Sequence, residues 1–470
     1  MEKEFDLVII GGGIAGYTAA IRASQLGMHV ALIEKNKLGG TCLHQGCIPT
    51  KTYLKTSKMI DDMKHANVFG IDEVQPKFSF EKIQERKNNI VEQLYRGIEY
   101  LVQKNKIKVI NGTARLLGPS IFSPRAGTVS VSFEDGSSEL IQNKFVLICT
   151  GSRPKPLSFL PFNNKNIISS DDFMKLEQLP KSIGIVGGGV IGIEFASFLA
   201  DLNVKVTVLE AGDTILPNED KAYTKLLQKA LEARGVRFIF NCQLNEHDFD
   251  IDENVTLKLK NINETLTFEK MLIAIGRQPN SDDIGLENTK IETAKQMIVV
   301  NDRYQTSETH IYAVGDVIGG LQLAHVAAKE AITAVEWMND LVPIPILENQ
   351  IPRCIYSNPE MASVGLSKES AKKLGYEIIE VKIPFKAIGM ALIENNAEGF
   401  ASMIFDKHTN DILGVSMIGK QATEMINEVS LAKFMNASGY ELGSSVHAHP
   451  SMSEILNEIG LASVDKAIHY

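Results

Sequence analysis

Two cysteines, Cys42 and Cys47, lie five positions apart in a segment that also contains Pro49 and Lys51. An ideal α-helix over this interval would separate the two Cα atoms by ~7.5 Å and rotate them by ~140°. A disulfide needs Cα atoms within roughly 4.4–6.8 Å and converging Cβ atoms. A bridge therefore requires a distorted turn, which Gly46 can supply by adopting backbone conformations closed to other residues. Pro49 can then lie in the first turn of a regular helix.

A bridge between these two cysteines closes a very short loop, so it adds little stability and is better suited to opening and closing. Taken alone, the spacing favours two unrelated buried thiols, and only the neighbouring motifs make a redox disulfide the better interpretation. The remaining cysteines, Cys149, Cys242 and Cys354, are expected to be inert core or strand residues. Five cysteines are too few, and odd in number, for a secreted disulfide scaffold.

The cysteine pair directly follows a dinucleotide-binding fingerprint, Gly11-x-Gly13-x-x-Gly16. Gly11 permits the tight turn, Gly13 lets the backbone approach a pyrophosphate, and Gly16 lets helix and strand pack closely. Glu34, 23 positions after Gly11, can accept hydrogen bonds from both hydroxyls of a ribose. The pattern predicts a strand, a helix whose N-terminus favours phosphate, and a second strand (residues 5–10, to about 26, and 29–33).

The same fingerprint recurs at Gly187, Gly189 and Gly192, again with an acidic residue, Glu210, 23 positions after the first glycine. Two such units imply two dinucleotides, of which a nicotinamide and a flavin are the economical pair for passing electrons. No cation follows Glu210 over residues 211–216. A 2′-phosphate would need a nearby arginine, so this site is expected to prefer NAD over NADP.

A histidine near the C-terminus can provide proton transfer. A dithiol that reduces a disulfide must lose protons, which calls for a base with a pKa near neutrality, and His449 is the candidate. Pro450 sets a turn, and Glu454 in the following helix can reach back to orient the imidazole. His447 is expected to be structural. A metal site at the His-x-His pattern is not expected, because no third ligand cluster accompanies it.

Composition limits the classes of partner. The chain has 470 residues, of which 44% are hydrophobic and 22% charged, as in ordinary α/β proteins of about three domains. A net charge of −9 argues against general binding to nucleic acid or anionic membrane. We find neither a run of 18 uncharged apolar residues nor a signal peptide, and we expect a cytoplasmic protein.

The remaining patterns give a coarse organisation. Residues 53–105 are predicted to be helical, and residues 107–143 to form a β-meander before a buried strand at 144–149. Residues 241–270 repeat the meander. Two further strands are expected within 301–316, and beyond residue 343 mixed strands and helices follow (strands near 353–357, 376–384, 399–405 and 411–418; helices near 421–437 and 452–460).

In their order and spacing, these motifs resemble those of the flavin-dependent pyridine nucleotide–disulfide oxidoreductases, most closely the dihydrolipoamide dehydrogenases. The motifs that carry the resemblance are residues 11–16, 39–51, 149–154, 187–194, 274–280, 313–316 with 323–325, and 447–450. The implied fold is α/β, with two Rossmann-like dinucleotide-binding domains bearing β-meanders and a C-terminal α+β dimerisation domain. The implied domains are FAD-binding at 1–153 and 279–348, NAD-binding at 154–278, and dimerisation at 349–470.

The resemblance also implies roles for the redox residues. Cys47 is the cysteine nearer the flavin and forms a thiolate charge-transfer pair with it, whereas Cys42 exchanges with the substrate. Such a thiolate needs a helix start and a nearby cation to lower its pKa. Lys51, one helical turn after Cys47, brings its ammonium towards the flavin, and Glu194 is its carboxylate partner.

Further cofactor contacts follow from the same resemblance. Asp316 would hold the ribityl and phosphate portion of the flavin; away from this motif, a helix N-cap carboxylate is an equally good interpretation. Ala324 and Ala114 would be backbone contacts to the flavin half and the adenine half. The remaining implied cofactor contacts lie in the two chain crossings, at Gly151, Gly276 and Arg277.

The implied activity is oxidation of protein-bound dihydrolipoamide by NAD, in an obligate homodimer whose base enters each site from the other subunit. The implied partners are the lipoyl domains of 2-oxoacid dehydrogenase complexes or the H protein of glycine cleavage, and docking on such a complex is compatible with catalysis. The alternative is another NAD(P)H-dependent disulfide reductase of the glutathione or mercuric type. The absence of a cation after Glu210 weighs against glutathione reductase, whose substrate and NADPH sites both rely on arginines. The lack of a C-terminal redox pair weighs against mercuric reductase.

Overall fold

The computed structural model describes residues 4–72, 75–120, 125–260 and 262–469, and these residues form two compact units. The first unit contains the chain as far as Thr50 together with two later segments, Glu81–Lys155 and Gly276–Ile346. The second contains Lys51–Phe80, Pro156–Ile275 and the chain from Leu347 onward.

Helices and strands are interspersed along the whole of the described chain. The helices are α1 (Ile14–Gln25), α2 (Gly40–His44), α3 (Cys47–Lys64), α4 (Phe80–Lys104), α5 (Ser170–Phe173), α6 (Val190–Asp201), α7 (Lys221–Ala233), α8 (Ala324–Met338), α9 (Lys368–Lys373), α10 (Gly389–Ile393), α11 (Ala422–Phe434), α12 (Gly439–Ser444) and α13 (Glu454–Ala462). The strands are β1 (Glu4–Ile10), β2 (Val30–Glu34), β3 (Lys108–Asn111), β4 (Thr113–Leu116), β5 (Val129–Ser132), β6 (Ser138–Ile148), β7 (Ser152–Pro154), β8 (Ile167–Ile168), β9 (Ser182–Val186), β10 (Lys205–Leu209), β11 (Arg237–Ile239), β12 (Phe249–Ile251), β13 (Val255–Leu259), β14 (Glu264–Phe268), β15 (Lys270–Ile273), β16 (Arg277–Pro279), β17 (Thr293–Ala294), β18 (Met297–Ile298), β19 (Ile311–Ala313), β20 (Arg353–Ile355), β21 (Met361–Gly365), β22 (Ile378–Pro384), β23 (Phe400–Asp406) and β24 (Ile412–Ile418).

The first unit is built on a parallel sheet of order β3-β2-β1-β6, with β19 beside β6. Strand β1 is apolar on both faces because each face is covered: Leu7 and Ile9 pack in one core cluster, and Val8 and Ile10 in another. The first cluster includes the alanine-rich faces of α1 and α8. This packing holds the glycine turn at the carboxyl end of β1.

Strand β6 runs without a break for 11 residues and belongs to two sheets. Its first part pairs antiparallel with β5, which pairs with β4, and its last part lies in the parallel sheet. The prediction of a meander ending at residue 143 and a separate strand at 144–149 is therefore wrong. The reason is that one strand changes from half-exposed alternation to full burial along its length.

The second unit repeats the parallel arrangement in a sheet of order β11-β10-β9-β15-β8, followed by an antiparallel sheet β12-β13-β14. Its C-terminal part is an antiparallel sheet of order β20-β21-β24-β23-β22 with α11 and α13 packed against one core. Strand β21, with the sequence Met-Ala-Ser-Val-Gly, was not predicted, because several of its residue types have weak strand preference. It is nevertheless buried and lies between β20 and β24.

Two other predictions need correction. The helical region at 53–105 is two helices, α3 and α4, separated by a 3₁₀ turn at Ala66–Phe69. Of the two strands expected within 301–316, only β19 forms, since Gln305 makes a single bridge to Tyr312. Within the described ranges, we find no helix with both the length and the apolar character needed to cross a membrane.

Candidate functional site

The first glycine turn has the geometry that a dinucleotide requires. Gly11 has a φ of +101°, in the left-handed region, and a Cβ on Gly16 would lie 1.8 Å from the Gly11 carbonyl oxygen. A Cβ on Gly13 would meet only the Gly40 Cα, at an ordinary contact distance of 3.8 Å. Glu34 receives backbone N–H groups on both oxygens, from Gly12 at 2.6 Å and from Asn36 at 2.7 Å.

The second glycine turn has the same geometry. Gly187 has a φ of +110°, and a Cβ on Gly192 would lie 2.0 Å from the Gly187 carbonyl oxygen. Nothing lies within 4 Å of a Cβ on Gly189. The Glu210 carboxylate accepts the N–H of Gly188 at 2.6 Å and that of Gly212 at 2.7 Å. Neither turn crowds its middle glycine, so a phosphate can approach the backbone there and the residues fit two dinucleotides.

The cysteines lie in two helices that follow each other closely. Cys42 is in α2 and Cys47 is the first residue of α3, and both are half-buried. Gly46 does not have a positive φ, so the prediction that it supplies an unusual backbone conformation is wrong. It is instead a point of close approach, where a Cβ would lie 3.0 Å from the Thr41 carbonyl oxygen. The left-handed glycines of the segment are Gly39 and Gly40.

The surroundings of Cys42 include Tyr17 and His44, to which the sequence assigned no role. Burial raises the pKa of Tyr17 on α1, and the negative charge of Cys42 acts in the same direction. His44 places Nε2 2.8 Å from the Leu38 carbonyl oxygen and packs its ring against Tyr95. His44 thus contributes to the local packing of the first unit. No sequence signal pointed to Tyr17.

Four predicted cofactor residues of the first unit come together where β7 pairs with β16. Asp316 accepts a hydrogen bond from the Ser152 hydroxyl at 2.5 Å, and Arg277 Nε donates to the same hydroxyl at 2.7 Å. Gly151 and Gly276 precede these strands with φ values of +68° and +113°. The N-cap of the 3₁₀ turn at Gly315–Ile318 is Val314, so the Asp316 side chain does not have the N-cap role. Ser152 was missed, although it lies within a motif the sequence did mark.

Glu330 on α8 contacts Gly315, the residue before Asp316, and was not predicted from the sequence. Its Oε2 accepts the N–H of Gly315 at 2.8 Å. Burial raises the pKa of Glu330 to about 7; the charge of Asp316 acts in the same direction, and the Gly315 N–H opposes it. Ala324 is the first residue of α8, and Ala114 is buried in β4.

In the second unit, the structure brings Lys51 and Glu194 together. Lys51 Nζ lies 3.0 and 2.9 Å from the two Glu194 carboxylate oxygens. The Glu194 side chain is 5% exposed and that of Lys51 33% exposed. The buried carboxylate thus holds the lysine side chain in one place, and a third of that side chain stays exposed.

The two predicted members of the acid–base pair also meet. His449 Nδ1 lies 2.7 Å from Glu454 Oε1, and Glu454 Oε2 accepts the Ser451 N–H at 2.8 Å. Burial acts to raise the pKa of Glu454, but the hydrogen bonds from Ser451 and His449 outweigh it, and the pKa is lowered. His447 pairs separately with Glu428 at 2.8 Å.

The three remaining cysteines have environments that suppress the thiolate. Burial raises the pKa of Cys149, and burial raises the pKa of Cys242 and that of Cys354 to about 11. A thiol with such a pKa is a poor nucleophile at neutral pH. In the part of the chain that the structure describes, no group of three histidine, cysteine or acidic side chains is arranged to hold a metal ion.

Comparison with known proteins places this geometry in a family. Residues 5–331 match the pyridine nucleotide-disulphide oxidoreductase model, and residues 351–459 match the dimerisation domain of the same family. The chain therefore belongs to the pyridine nucleotide-disulphide oxidoreductases. It is 48% identical to a dihydrolipoyl dehydrogenase of Bacillus subtilis over 100% of both chains, and 38% identical to dihydrolipoyl dehydrogenase 3 of Pseudomonas putida over 98% of both.

Solved structures agree on the fold. LpdA from Mycobacterium tuberculosis is 25% identical with a TM-score of 0.90, covering 97% of this chain and 99% of that one. The HOCl-induced flavoprotein disulfide reductase RclA from Escherichia coli is 29% identical with a TM-score of 0.85, with the same coverage. The predicted fold class, family, enzyme type and cofactor pair, FAD and NAD, are thereby confirmed. The dimerisation domain supports a homodimer.

Proposed function

We propose that the protein oxidises protein-bound dihydrolipoamide to lipoamide with NAD as the electron acceptor. The observation that carries this proposal is the 48% identity to a dihydrolipoyl dehydrogenase over the whole of both chains. The half-buried cysteine pair and the hydrogen-bonded His449–Glu454 pair support it, because a dithiol oxidation needs an exchangeable disulfide and a base.

The proposed cofactor arrangement assigns FAD to residues 1–153 and 279–348 and NAD to residues 154–278. FAD would be held by Gly11, Gly13, Gly16, Glu34, Ala114, Gly151, Asp316 and Ala324. NAD would be held by Gly187, Gly189, Gly192, Glu210, Gly276 and Arg277. Lys51 and Glu194 would lie beside the flavin ring. When bound, FAD supplies two-electron transfer between the enzyme dithiol and the nicotinamide.

The thiol chemistry is a two-step exchange. One thiolate of dihydrolipoamide attacks Cys42, breaking the Cys42–Cys47 bond and releasing Cys47 as a thiolate. The second substrate thiol then attacks the mixed disulfide, so lipoamide leaves and Cys42 and Cys47 are both reduced. Two electrons pass to the enzyme, and the two thiol protons must be removed. Lys51, four residues after Cys47 on α3, favours the thiolate form of Cys47.

His449 is proposed to accept the substrate protons. Glu454 accepts from Nδ1, which leaves Nε2 of the imidazole as the basic nitrogen. The His449 side chain is 80% exposed in the single chain. Such exposure suits a base that completes a site on the partner subunit of a homodimer, with residues 349–470 forming the interface.

The partners we propose are the lipoyl domains of 2-oxoacid dehydrogenase complexes or the H protein of glycine cleavage, since these present dihydrolipoamide on a mobile arm. The cytoplasm is the proposed compartment, in keeping with the bacterial relatives. The similarity to RclA makes a different flavoprotein disulfide reductase the second candidate, at lower identity.

A substrate panel tests the proposal. Purified holoenzyme should reduce NAD with free dihydrolipoamide and with a reduced lipoyl domain, and should show little activity when NADH or NADPH is offered with oxidised glutathione or thioredoxin. Turnover with glutathione or thioredoxin, but not with dihydrolipoamide, would replace the first candidate by the second.

A further inference from the structure

A short loop of the second unit, the 356–359 loop (Tyr356 to Pro359), reaches the Lys51–Glu194 pair. It follows β20 and leads into β21 of the C-terminal sheet. Its first residue, Tyr356, makes two contacts with the pair. The Tyr356 N–H donates to Glu194 Oε1 at 3.0 Å, and the Tyr356 ring centroid lies 4.6 Å from Lys51 Nζ.

The Lys51 ammonium is therefore bounded on two sides. The Glu194 carboxylate receives it with both oxygens, and the face of the Tyr356 ring covers a second direction. A ring centroid within about 6 Å of an ammonium attracts it through the negative face of the aromatic system. Burial raises the pKa of the Tyr356 phenol, so the ring stays neutral at physiological pH.

The loop is itself anchored to α6 by a row of polar side chains. Ser197 Oγ accepts the Asn358 N–H at 3.0 Å, and Arg234 donates to the Asn358 carbonyl oxygen. Arg234 is fixed in turn by Asp201 Oδ1 at 2.7 Å. Because Glu194, Ser197 and Asp201 are three and four residues apart, they share one face of the helix. Tyr356 is thus attached to a rigid support.

We infer that Tyr356 is a positioning residue that fixes the Lys51 ammonium, and so sets how strongly this positive charge acts on the flavin and on the Cys47 thiolate. The inference rests on the proposed function in placing Lys51 beside the flavin. It links the C-terminal sheet to the Lys51–Glu194 pair through a ring face and one backbone hydrogen bond.

The ring can be separated from the rest of the loop by substitution. Tyr356→Leu removes the aromatic face but keeps the backbone N–H to Glu194, whereas Tyr356→Phe keeps the face and removes only the hydroxyl. Tyr376→Leu, at another partly exposed tyrosine that precedes β22, is the matched control. Flavin content and thermal unfolding confirm that each holoenzyme is folded.

Two measurements report the effect of the Lys51 charge on the flavin and on the Cys47 thiolate, and neither needs a dithiol substrate. These are the midpoint potential of the bound flavin and the pH titration of the long-wavelength charge-transfer absorbance in the two-electron-reduced enzyme. In Tyr356→Leu the potential should become more negative, and the thiolate-to-thiol ratio at a given pH should fall roughly two- to tenfold, because the cation is held less firmly. Tyr356→Phe and Tyr376→Leu should match the wild type.

A double-mutant cycle distinguishes positioning from a structural role. If Tyr356 acts through Lys51, Tyr356→Leu should change neither readout further in a Lys51→Met background. Wild-type readouts in Tyr356→Leu, or an undiminished shift in the Lys51→Met background, would overturn the inference. If the cycle gives the expected result but the wild-type enzyme does not oxidise dihydrolipoamide, the proposed substrate is wrong and the inference about Tyr356 stands.

Discussion

The two glycine turns of this chain are alike in detail, yet the helices that follow them differ. Each turn has a left-handed first glycine and an uncrowded middle glycine. In each, an acidic side chain accepts the N–H of the residue after the first glycine, Gly12 or Gly188, at 2.6 Å. Helix α1 buries small residues, chiefly alanines. Helix α6 buries nine of its 12 residues, among them three polar ones, Glu194, Ser197 and Asp201.

The glycine turns are suited to binding nucleotides, whereas the polar residues of α6 position Lys51 at the proposed redox site. The shared turn is set by backbone geometry and is reproduced wherever a dinucleotide must approach a helix N-terminus. One buried face of α6 carries a row of polar side chains that orients Lys51 and the 356–359 loop. Helix α1 buries no such row, and the first unit instead carries the cysteine pair after β2.

The largest effect is expected at that cysteine pair, which has no counterpart after the second glycine turn. Cys42→Ser should keep the flavin bound and abolish dihydrolipoamide turnover, leaving a Cys47 thiolate with a long-wavelength absorbance. Cys47→Ser should also be inactive but lack this band. Steady-state assays and visible spectra measure both, and near-normal activity in either variant would refute the redox disulfide.

His449 comes next. His449→Ala should lower dihydrolipoamide oxidation by roughly 10²–10⁴-fold, the usual contribution of a positioned general base. Flavin reduction by NADH, followed by stopped-flow absorbance, should change far less. Glu454→Gln should cause a smaller loss, because the imidazole remains.

Mixed dimers sharpen this prediction. With Cys42→Ser in one subunit and His449→Ala in the other, a base supplied across the interface leaves one complete site and about half the activity per dimer. A nearly inactive heterodimer would show that both groups come from a single chain.

Glu330 gives a pH-dependent effect specific to the first unit. Because its folded pKa is about 7, above the ordinary 4.5, the folded protein keeps a proton that the unfolded chain releases. The free energy of unfolding should therefore fall as pH rises from 4.5 to 7, by at most about 3 kcal/mol. Glu330→Gln, which keeps an acceptor for Gly315, should remove this decline in urea titrations. If the free energy of unfolding depends on pH in the same way in the wild type and in Glu330→Gln, Glu330 is not the group responsible for the decline.

The smallest effect tests the two turns against each other. Glu210→Ala should weaken NAD binding about ten- to a hundredfold and narrow the preference over NADP, since charge-assisted hydrogen bonds are worth ~1–3 kcal/mol. Glu34→Ala should instead lower the affinity for FAD. Each variant is the control for the other, and equal loss of both cofactors in either would show that the carboxylates only hold the turns.

Sequence patterns were sufficient for the elements of the two fingerprints, because glycine spacing and strand hydrophobicity act locally. They failed for β21, whose weak strand formers are held by neighbours on both sides, and for β6, where burial changes along one strand. For the site, too, local patterns were predicted and contacts between distant parts of the chain were not. Charged residues in motifs were found, whereas Ser152, Tyr17, Glu330 and Tyr356 matter through contacts distant in sequence.

Strand β6 also bears on how the first unit opens. Its 11 residues hydrogen-bond to the parallel sheet at one end and to the meander at the other, so neither sheet can detach without disrupting the other. In the second unit, β14 and β15 are separate strands on either side of Glu269. Amide protons of β4 and β5 should consequently exchange together with those of β1, as one cooperative block, while those of β12 and β13 exchange through a smaller opening of their own.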